Sequence, residues 1–142
     1  MKALTLWQPW ASLMAIREKG FETRSWSTEY RGDMAIHAAK KPLSKIQIPD
    51  TTFVLMQSLL DQNGLDIFDL PYGCVVAVGC LIEIFPTEEH WHRLNIRMKD
   101  LELGDWSEGR FAWDFAEVKA LDPPIPARGS QGIWEWEYAE TN

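Results

Sequence analysis

The sequence predicts an α+β protein built on a small, strongly bent sheet or barrel. Three observations support this fold class: several short segments have strand character, the helical segments between them are few and irregularly spaced, and residues 73–85 form a nearly all-apolar run. A parallel α/β sheet fits less well because it needs regularly alternating helices. With 142 residues, the chain is expected to fold as a single domain, residues 1–142, without disulfide or metal support.

The N-terminal third is predicted to alternate short strands with one helix. Residues 2–6 have strand character, and Pro9 lies in the first turn of a helix that we expect to end near Gly20. A charged segment at residues 19–32 follows, with the character of a strand and a turn. A turn at residues 30–33 then leads into a strand at 34–38.

A second helix is predicted to begin after Pro49 and to end at Asn63 and Gly64. Its core-facing positions are expected to be Phe53, Val54, Leu55, Leu59 and Leu60. The later elements are predicted as a long strand at 73–85 interrupted by Glu83, a polar segment with a short helix or loop at 86–104, a strand at 111–118, a rigid proline-rich connector at 122–126 and a last short strand from Ile133.

Charge is unevenly distributed along the chain. The net charge is -7, which argues against a protein that coats nucleic acid with its whole surface. Residues 1–47, however, hold eight Lys and Arg against four Asp and Glu, whereas residues 48–142 hold six against seventeen. This distribution indicates either a local anion-binding surface on an acidic body or an acidic surface that serves solubility alone.

The two cysteines, Cys74 and Cys80, lie on one face of the predicted strand at a spacing too long for a disulfide. We therefore expect them to be buried small hydrophobic residues. The sequence shows neither a signal peptide nor an apolar stretch of membrane-spanning length. These features predict a cytoplasmic protein that does not associate with membranes.

The charged segment at residues 19–32 carries the main functional signal. With the period of two of a strand, Glu22, Arg24 and Trp26 share one face, while Phe21 and Thr23 lie on the other. A carboxylate, a guanidinium and an indole in a row suit a flat ligand such as a nucleobase. The alternative is an exposed strand face with a weak cross-strand ion pair.

Other residues outside this face are candidates for ligand contact. The chain has eight tryptophans, and the four beside turns or charges are candidates for lining a cleft: Trp7, Trp10, Trp26 and Trp106. His37 ends a strand just before Lys40, so both residues are candidates for phosphate contact, although a histidine with a purely structural role at the strand end is equally compatible.

Catalysis, if present, would fall to Lys19, Glu22 and Arg24, since phosphate loops, nucleophile elbows and paired cysteine motifs are all absent from the sequence. A desolvated Lys19 would act as base or nucleophile, Glu22 as proton acceptor and Arg24 as oxyanion partner. The same set equally describes a binding clamp without chemistry. His90 and His92 with Glu88 form only a weak metal signal, so no metal ligand is assigned and a divalent metal stays possible.

The order of motifs along the chain resembles the ASCH domain family. These motifs are Leu6-Trp-Gln-Pro-Trp-Ala-Ser-Leu, Lys19-x-x-Glu22-Thr-Arg24-Ser-Trp26, Tyr30-Arg-Gly, Ile36-His-Ala and Gln131-Gly-Ile-Trp-Glu-Trp. The family signature G-x-K-x-x-E-x-R is matched by Lys19, Glu22 and Arg24. Arg17 stands where the signature has glycine, a difference that concerns a turn rather than the charged face.

The resemblance implies a PUA-like β-barrel with surrounding helices and a cleft that receives RNA or a nucleotide. We therefore expect a monomeric RNA- or nucleotide-binding protein. Lys19, Arg24 and Lys40 would contact phosphates or base edges, and Glu22 would orient Arg24 or accept a base amino group. Trp26 and Tyr30 would provide stacking surfaces, with Trp10, His37 and Lys40 among the other ligand contacts.

The resemblance also leaves two alternatives open. One bacterial branch of the family hydrolyses N4-acetylcytidine with a lysine at the signature position, a threonine three residues later and a glutamate further along. Lys19 matches this pattern, but Glu22 stands at the threonine position and Thr23 lies on the other face of the strand. Another branch acts as a metal-dependent ribonuclease. Apart from the resemblance, a protein-interaction domain with an exposed tryptophan patch is a further alternative.

Overall fold

The computed structural model describes residues 1–138, so the last four residues of the predicted domain lie outside the described part of the chain. The helices and strands are, in order, β1 (Lys2–Leu6), α1 (Trp10–Ala15), β2 (Phe21–Arg24), β3 (Gly32–Ala38), α2 (Asp50–Gln62), β4 (Cys74–Pro86), α3 (Met98–Leu103), β5 (Phe111–Pro126) and β6 (Ile133–Glu135). Short 3₁₀ helices lie at Leu43–Lys45 and Thr87–His92.

The strands form one mixed sheet in the order β2-β5-β4-β3-β1-β6. β1 and β3 are parallel, and the other neighbouring strands are antiparallel. The sheet curves into a half-barrel with the helices around it, which confirms the predicted α+β fold class. The pairing of β4 with β5 shifts register at three places, and such bulges increase the twist and bend of a sheet.

The main hydrophobic core packs α1 against strands β1, β3, β4 and β5. Trp113 of β5 is fully buried in it and meets Trp26 edge to face, with ring centroids 4.9 Å apart. A second cluster joins α1, α2 and the end of α3. On α2, the predicted core face is correct for Leu59 and Leu60 but wrong for Val54, which is 63% exposed. Met56 is buried instead, because residues at positions 56, 59 and 60 share one side of a helix.

Helix α1 is shorter than the sequence predicts. It ends at Ala15, and Arg17 has a φ of 62°, in the left-handed region that favours glycine. The backbone N–H groups of Glu18 and Lys19 both donate to the Leu13 carbonyl, at 3.1 and 3.2 Å. Lys19 therefore lies in a tight connection rather than on a helix.

The predicted connector at residues 122–126 is wrong, because this segment is the end of strand β5. Ile125 and Pro126 pair with Val75 and Cys74 of β4. Prolines fit here because β2 pairs with β5 only between Phe111 and Asp114, which leaves the other side of the strand end open.

The structure also bears on two further predictions. Cys74 and Cys80 are free thiols, as predicted, but only Cys74 is fully buried and Cys80 is half-buried. Among residues 1–138, no helix is long and apolar enough to cross a membrane.

Candidate functional site

A cleft of about 630 Å³ opens beside the start of β2 and brings together Trp10, Lys19, Glu22 and Arg24 of the predicted site. Its walls come from distant parts of the chain, among them the end of β1, the segment before α2 and the loop after α3. Trp7, another tryptophan predicted to line a cleft, also lines it, and the rest of the lining comprises Thr5, Thr23, Gln47, Ile48, Pro49, Thr52, Glu102, Leu103, Gly104, Asp105 and Arg110. A volume of this size is typical of small-ligand sites.

Lys19 lies at the inner end of the cleft, and only 1% of its side chain is exposed. Its ammonium nitrogen donates to the Phe21 carbonyl at 2.5 Å and to Glu22 Oε1 at 2.9 Å. A buried lysine needs such partners because an unpaired ammonium costs several kcal/mol, to order of magnitude, when removed from water. Two of its three N–H donors thus have protein acceptors.

Glu22 lies between Lys19 and Arg24. Its second oxygen is 3.2 Å from Arg24 Nε, and Arg24 Nη2 donates to the Thr5 carbonyl at 2.6 Å. Burial by itself raises the pKa of Glu22, but the positive charges of Lys19 and Arg24, together with the hydrogen bond from Lys19, outweigh burial and hold the pKa below its usual value. Glu22 is therefore an ionised carboxylate at neutral pH.

The contact between Arg24 and Glu22 is an ion pair without the alignment of a hydrogen bond. Among the residues described, Arg24 Nε is the buried side-chain polar atom that has no hydrogen-bond partner. Such groups are uncommon in native structures and call for an explanation in function or in bound solvent.

Indole rings flank this charged array. Trp10 Nε1 donates to the Leu103 carbonyl at 2.7 Å, which holds the ring between α1 and α3. Trp7 is half-exposed at the cleft, and the Lys41 ammonium lies 3.8 Å from its ring centroid, in the geometry of a cation–π contact.

Arg110 is a cleft residue that the sequence reasoning missed. It donates to the Thr23 carbonyl at 3.0 Å, and its Nε lies 3.5 Å from Asp105 Oδ2. Arg110 directly precedes β5, which pairs antiparallel with β2. The only sequence signal was a lone arginine beside Gly109 before a predicted strand, and strand pairing cannot be inferred from that.

The other predicted site residues lie elsewhere. Trp26 follows the end of β2 and packs with Tyr30 against the main core, and the Tyr30 hydroxyl donates to the Asp33 carbonyl at 2.6 Å. His37 and Lys40 line a second cavity, of about 860 Å³. The charged face of β2 therefore continues into the cleft at Glu22 and Arg24 but not at Trp26.

The residues of the weak metal signal each have other contacts. His90 Nδ1 lies 3.0 Å from the Thr87 carbonyl, Glu88 accepts from the Gly109 backbone N–H, and the His92 ring lies against Trp91. Within residues 1–138, no three His, Cys, Asp or Glu side chains converge in a way that could hold a metal ion. Glu83 is partly exposed and accepts from Arg93 at 2.6 Å, which makes it an outward-facing ion-pair partner.

Comparisons with known proteins identify the family. Residues 4–125 match the family described as the ASCH domain. The chain is 28% identical over 136 residues to activating signal cointegrator 1 of Homo sapiens and 26% identical over 137 residues to the Mus musculus protein of that name. Each match covers 93% of this chain but 22% of the relative, so the chain spans about a fifth of their length.

Solved structures show the same fold. The crystal structure of ASCH from Zymomonas mobilis superposes with a TM-score of 0.50 and 13% identity, covering 88% of this chain and 72% of that one. The structure of a serine-to-alanine mutant of that protein gives the same TM-score at 15% identity, with the same coverage. At this level of identity the likeness concerns the fold alone. On the evidence of the family match over most of its length, the chain belongs to the ASCH domain family.

Proposed function

We propose that the cleft binds single-stranded RNA or a nucleotide, with one base held beside Arg24, Glu22 and the indoles. The observation that carries this proposal is the Lys19–Glu22–Arg24 array in a cleft flanked by Trp7 and Trp10. Recognition of single-stranded RNA depends on aromatic or guanidinium planes that stack on bases and on polar groups that meet base edges. Both kinds of group are present in this cleft.

Each polar group has a defined part in the proposal. The Arg24 guanidinium offers N–H donors to base acceptors or phosphate oxygens, and the Glu22 carboxylate accepts from an exocyclic amino group. Lys19 keeps Glu22 ionised and in place through its short contact at 2.9 Å. Trp7, which is 49% exposed, supplies a stacking surface at the cleft mouth.

The electrostatics favour binding over catalysis. A general base works best when its pKa is near the working pH, whereas the pKa of Glu22 is held below its usual value. The ammonium of Lys19 is engaged with two acceptors, which disfavours a nucleophilic role. A hydrolase acting on N4-acetylcytidine or on RNA, with or without a divalent metal, is therefore the second candidate for the same cleft.

Binding can be tested with a fluorescein-labelled single-stranded RNA and fluorescence anisotropy at low salt. Arg24→Ala removes the guanidinium at the cleft, and Lys119→Ala removes an exposed cation that lines neither cavity. We expect Arg24→Ala to weaken binding by about tenfold or more, since it removes charge-assisted contacts, and Lys119→Ala to have little effect. Equal affinities for wild type and Arg24→Ala, with both proteins folded by circular dichroism, would contradict the proposal.

Product formation distinguishes the hydrolase candidate from the binding proposal. Wild-type protein and Lys19→Ala are incubated with N4-acetylcytidine and with RNA, each with and without Mg²⁺ or Mn²⁺, and products are followed by chromatography. Turnover by the wild type that is lost in a folded Lys19→Ala variant would establish an enzyme. A contaminating nuclease would be insensitive to the substitution, and binding without turnover supports the binding proposal.

A further inference from the structure

We infer that the second cavity, which contains Lys40 and Arg128, is a backbone subsite that binds a phosphodiester group of the same strand whose base occupies the first cleft. This inference rests on the proposed function and extends it, because it makes the ligand a strand of at least two nucleotides. The cavity has a volume of about 860 Å³ and lies where the ends of β1, β3 and β5 meet the segment after β5.

The charge of this cavity suits an anion. Lys40 and Arg128 are both exposed and line it, together with Ser130 and Gln131, and no Asp or Glu of residues 1–138 belongs to its lining. Among residues 1–138, neither cation takes part in an ion pair. Two cations without a carboxylate partner thus line one cavity of a chain whose net charge is -7, and phosphate is a ligand that such a pair attracts.

The first cleft has the opposite character. Lys19 and Arg24 share the Glu22 carboxylate, and Arg110 lies within ion-pair distance of Asp105. With Glu102 also in the lining, the three cations of that cleft are matched by three carboxylates. Such a site suits the polar edge of an uncharged base, while the second cavity suits the charged backbone. We therefore assign a base to the first cleft and a backbone phosphate to the second cavity.

Thr5 connects the two cavities, since it lines both. Its carbonyl accepts from Arg24 in the first cleft, and its hydroxyl lies 3.1 Å from His37 Nδ1 in the second. A ligand that fills both cavities would therefore pass over this single residue of β1. That adjacency is the reason to assign both cavities to one strand rather than to two separate ligands.

The wall of the second cavity is held by a chain of hydrogen bonds through His37. Trp134 Nε1 donates to the Thr5 hydroxyl at 3.0 Å, and His37 Nε2 lies 2.7 Å from the Ala127 carbonyl. A carbonyl only accepts, so Nε2 carries the proton and Nδ1 of the neutral ring accepts from the Thr5 hydroxyl. His37 therefore acts as a positioning residue that fixes the segment containing Arg128.

Two glycines allow the close packing of this wall. A Cβ at Gly129 would lie 2.6 Å from His37 Cε1 and 2.8 Å from Thr5 Oγ1, so the segment could not approach so closely with any other residue. Gly73 has a φ of 65°, and a Cβ there would lie 3.0 Å from the Lys40 stem. The stem of Lys40 thus lies close to the Gly73 backbone at the cavity.

The test compares ligands of different length on matched variants. Binding of a cytidine 5′-monophosphate and of a labelled single-stranded pentaribonucleotide is measured by titration over a range of salt concentrations. The double variant Lys40→Ala/Arg128→Ala is compared with Lys119→Ala/Arg31→Ala, which removes two exposed cations outside both cavities. Thermal melts confirm that all variants are folded.

We expect the Lys40/Arg128 variant to bind the pentanucleotide about tenfold more weakly than the control, with a salt slope reduced by about 1.4 for two lost phosphate contacts. Mononucleotide affinity should be unchanged. Equal pentanucleotide affinity in the two double variants would overturn the inference. An equal loss for mononucleotide and pentanucleotide would overturn it too, because the cavity would then bind a terminal phosphate rather than a strand.

A different result from the same measurements would contradict the proposed function. If Arg24→Ala leaves binding of both ligands unchanged, the first cleft is not the base site, whatever the result for Lys40→Ala/Arg128→Ala. If Arg24→Ala weakens both ligands and the Lys40/Arg128 variant behaves as its control does, only the backbone subsite is wrong.

Discussion

The ammonium of Lys19 lies 2.9 Å from Glu22 Oε1, and 1% and 13% of the two side chains are exposed. The residues are three apart in sequence, and the tight connection after α1 together with the first residues of β2 brings them together. Because the pair is shielded from water, the loss of one partner costs more than the pair contributes as a whole. Stability measurements on variants can therefore test the pair without any ligand.

Replacing Lys19 by methionine should lower the free energy of unfolding by about 3 kcal/mol, because Glu22 then keeps its charge in a mostly buried place with Arg24 as its nearest cation. The measurement is urea denaturation at pH 7 of Lys19→Met, Glu22→Gln and the double variant. We expect the double variant to lose less stability than the sum of the two single losses. Strict additivity would show that the pair is not coupled.

The lowered pKa of Glu22 predicts a specific pH dependence. A carboxyl whose pKa is lower in the folded than in the unfolded state contributes stability that is complete above its ordinary pKa of 4.5 and is lost as the pH falls through the folded value. Glu22→Gln should therefore be less stable than wild type at pH 7, and the difference should shrink below pH 4.5. Free energies of unfolding measured from pH 7 to pH 3 check this.

Comparing the two proteins isolates Glu22 from other groups that titrate in acid. The pKa of Asp105 is also lowered, through hydrogen bonds from Ser107, whereas burial raises the pKa of Asp114. Both groups are present in wild type and in Glu22→Gln, so most of their contribution cancels in the difference between the two proteins. A difference that stays constant down to pH 3 would rule out the assigned ion pairs of Glu22.

Arg17 occupies the glycine position of the family signature with a φ of 62°. An L-residue in the left-handed region is strained by about 1 to 2 kcal/mol, whereas glycine is not. Arg17→Gly should therefore raise the free energy of unfolding by up to about 1 kcal/mol, after the larger chain entropy of glycine is counted. The midpoint of thermal unfolding should rise with it. Arg17→Ala is the control, since it removes the same side chain and keeps the strain. A midpoint for Arg17→Gly no higher than that of Arg17→Ala would show that the turn is unstrained.

Local patterns were sufficient to predict much of the fold. The apolar run from residue 73 became β4, and Pro49 and Asn63 flank α2 as expected. The error at residues 122–126 has a physical cause, because prolines signal a break unless the strand has an open side. Which side of a strand is open depends on its neighbours, and β2 covers only part of β5.

In the cleft, too, some relationships follow from the local sequence and others only from the folded chain. Glu22 and Arg24 share a face because residues two apart on a strand always do, so the sequence by itself determined that these charges belong together. The tertiary structure alone decided that Arg24 meets Thr5, nineteen residues away, and that the Trp10 ring is held by Leu103, ninety-three residues away. It also placed His37 and Lys40 in a separate cavity. Strand periodicity acts over a few residues, whereas contacts at these separations depend on how the whole sheet bends and which strands pair.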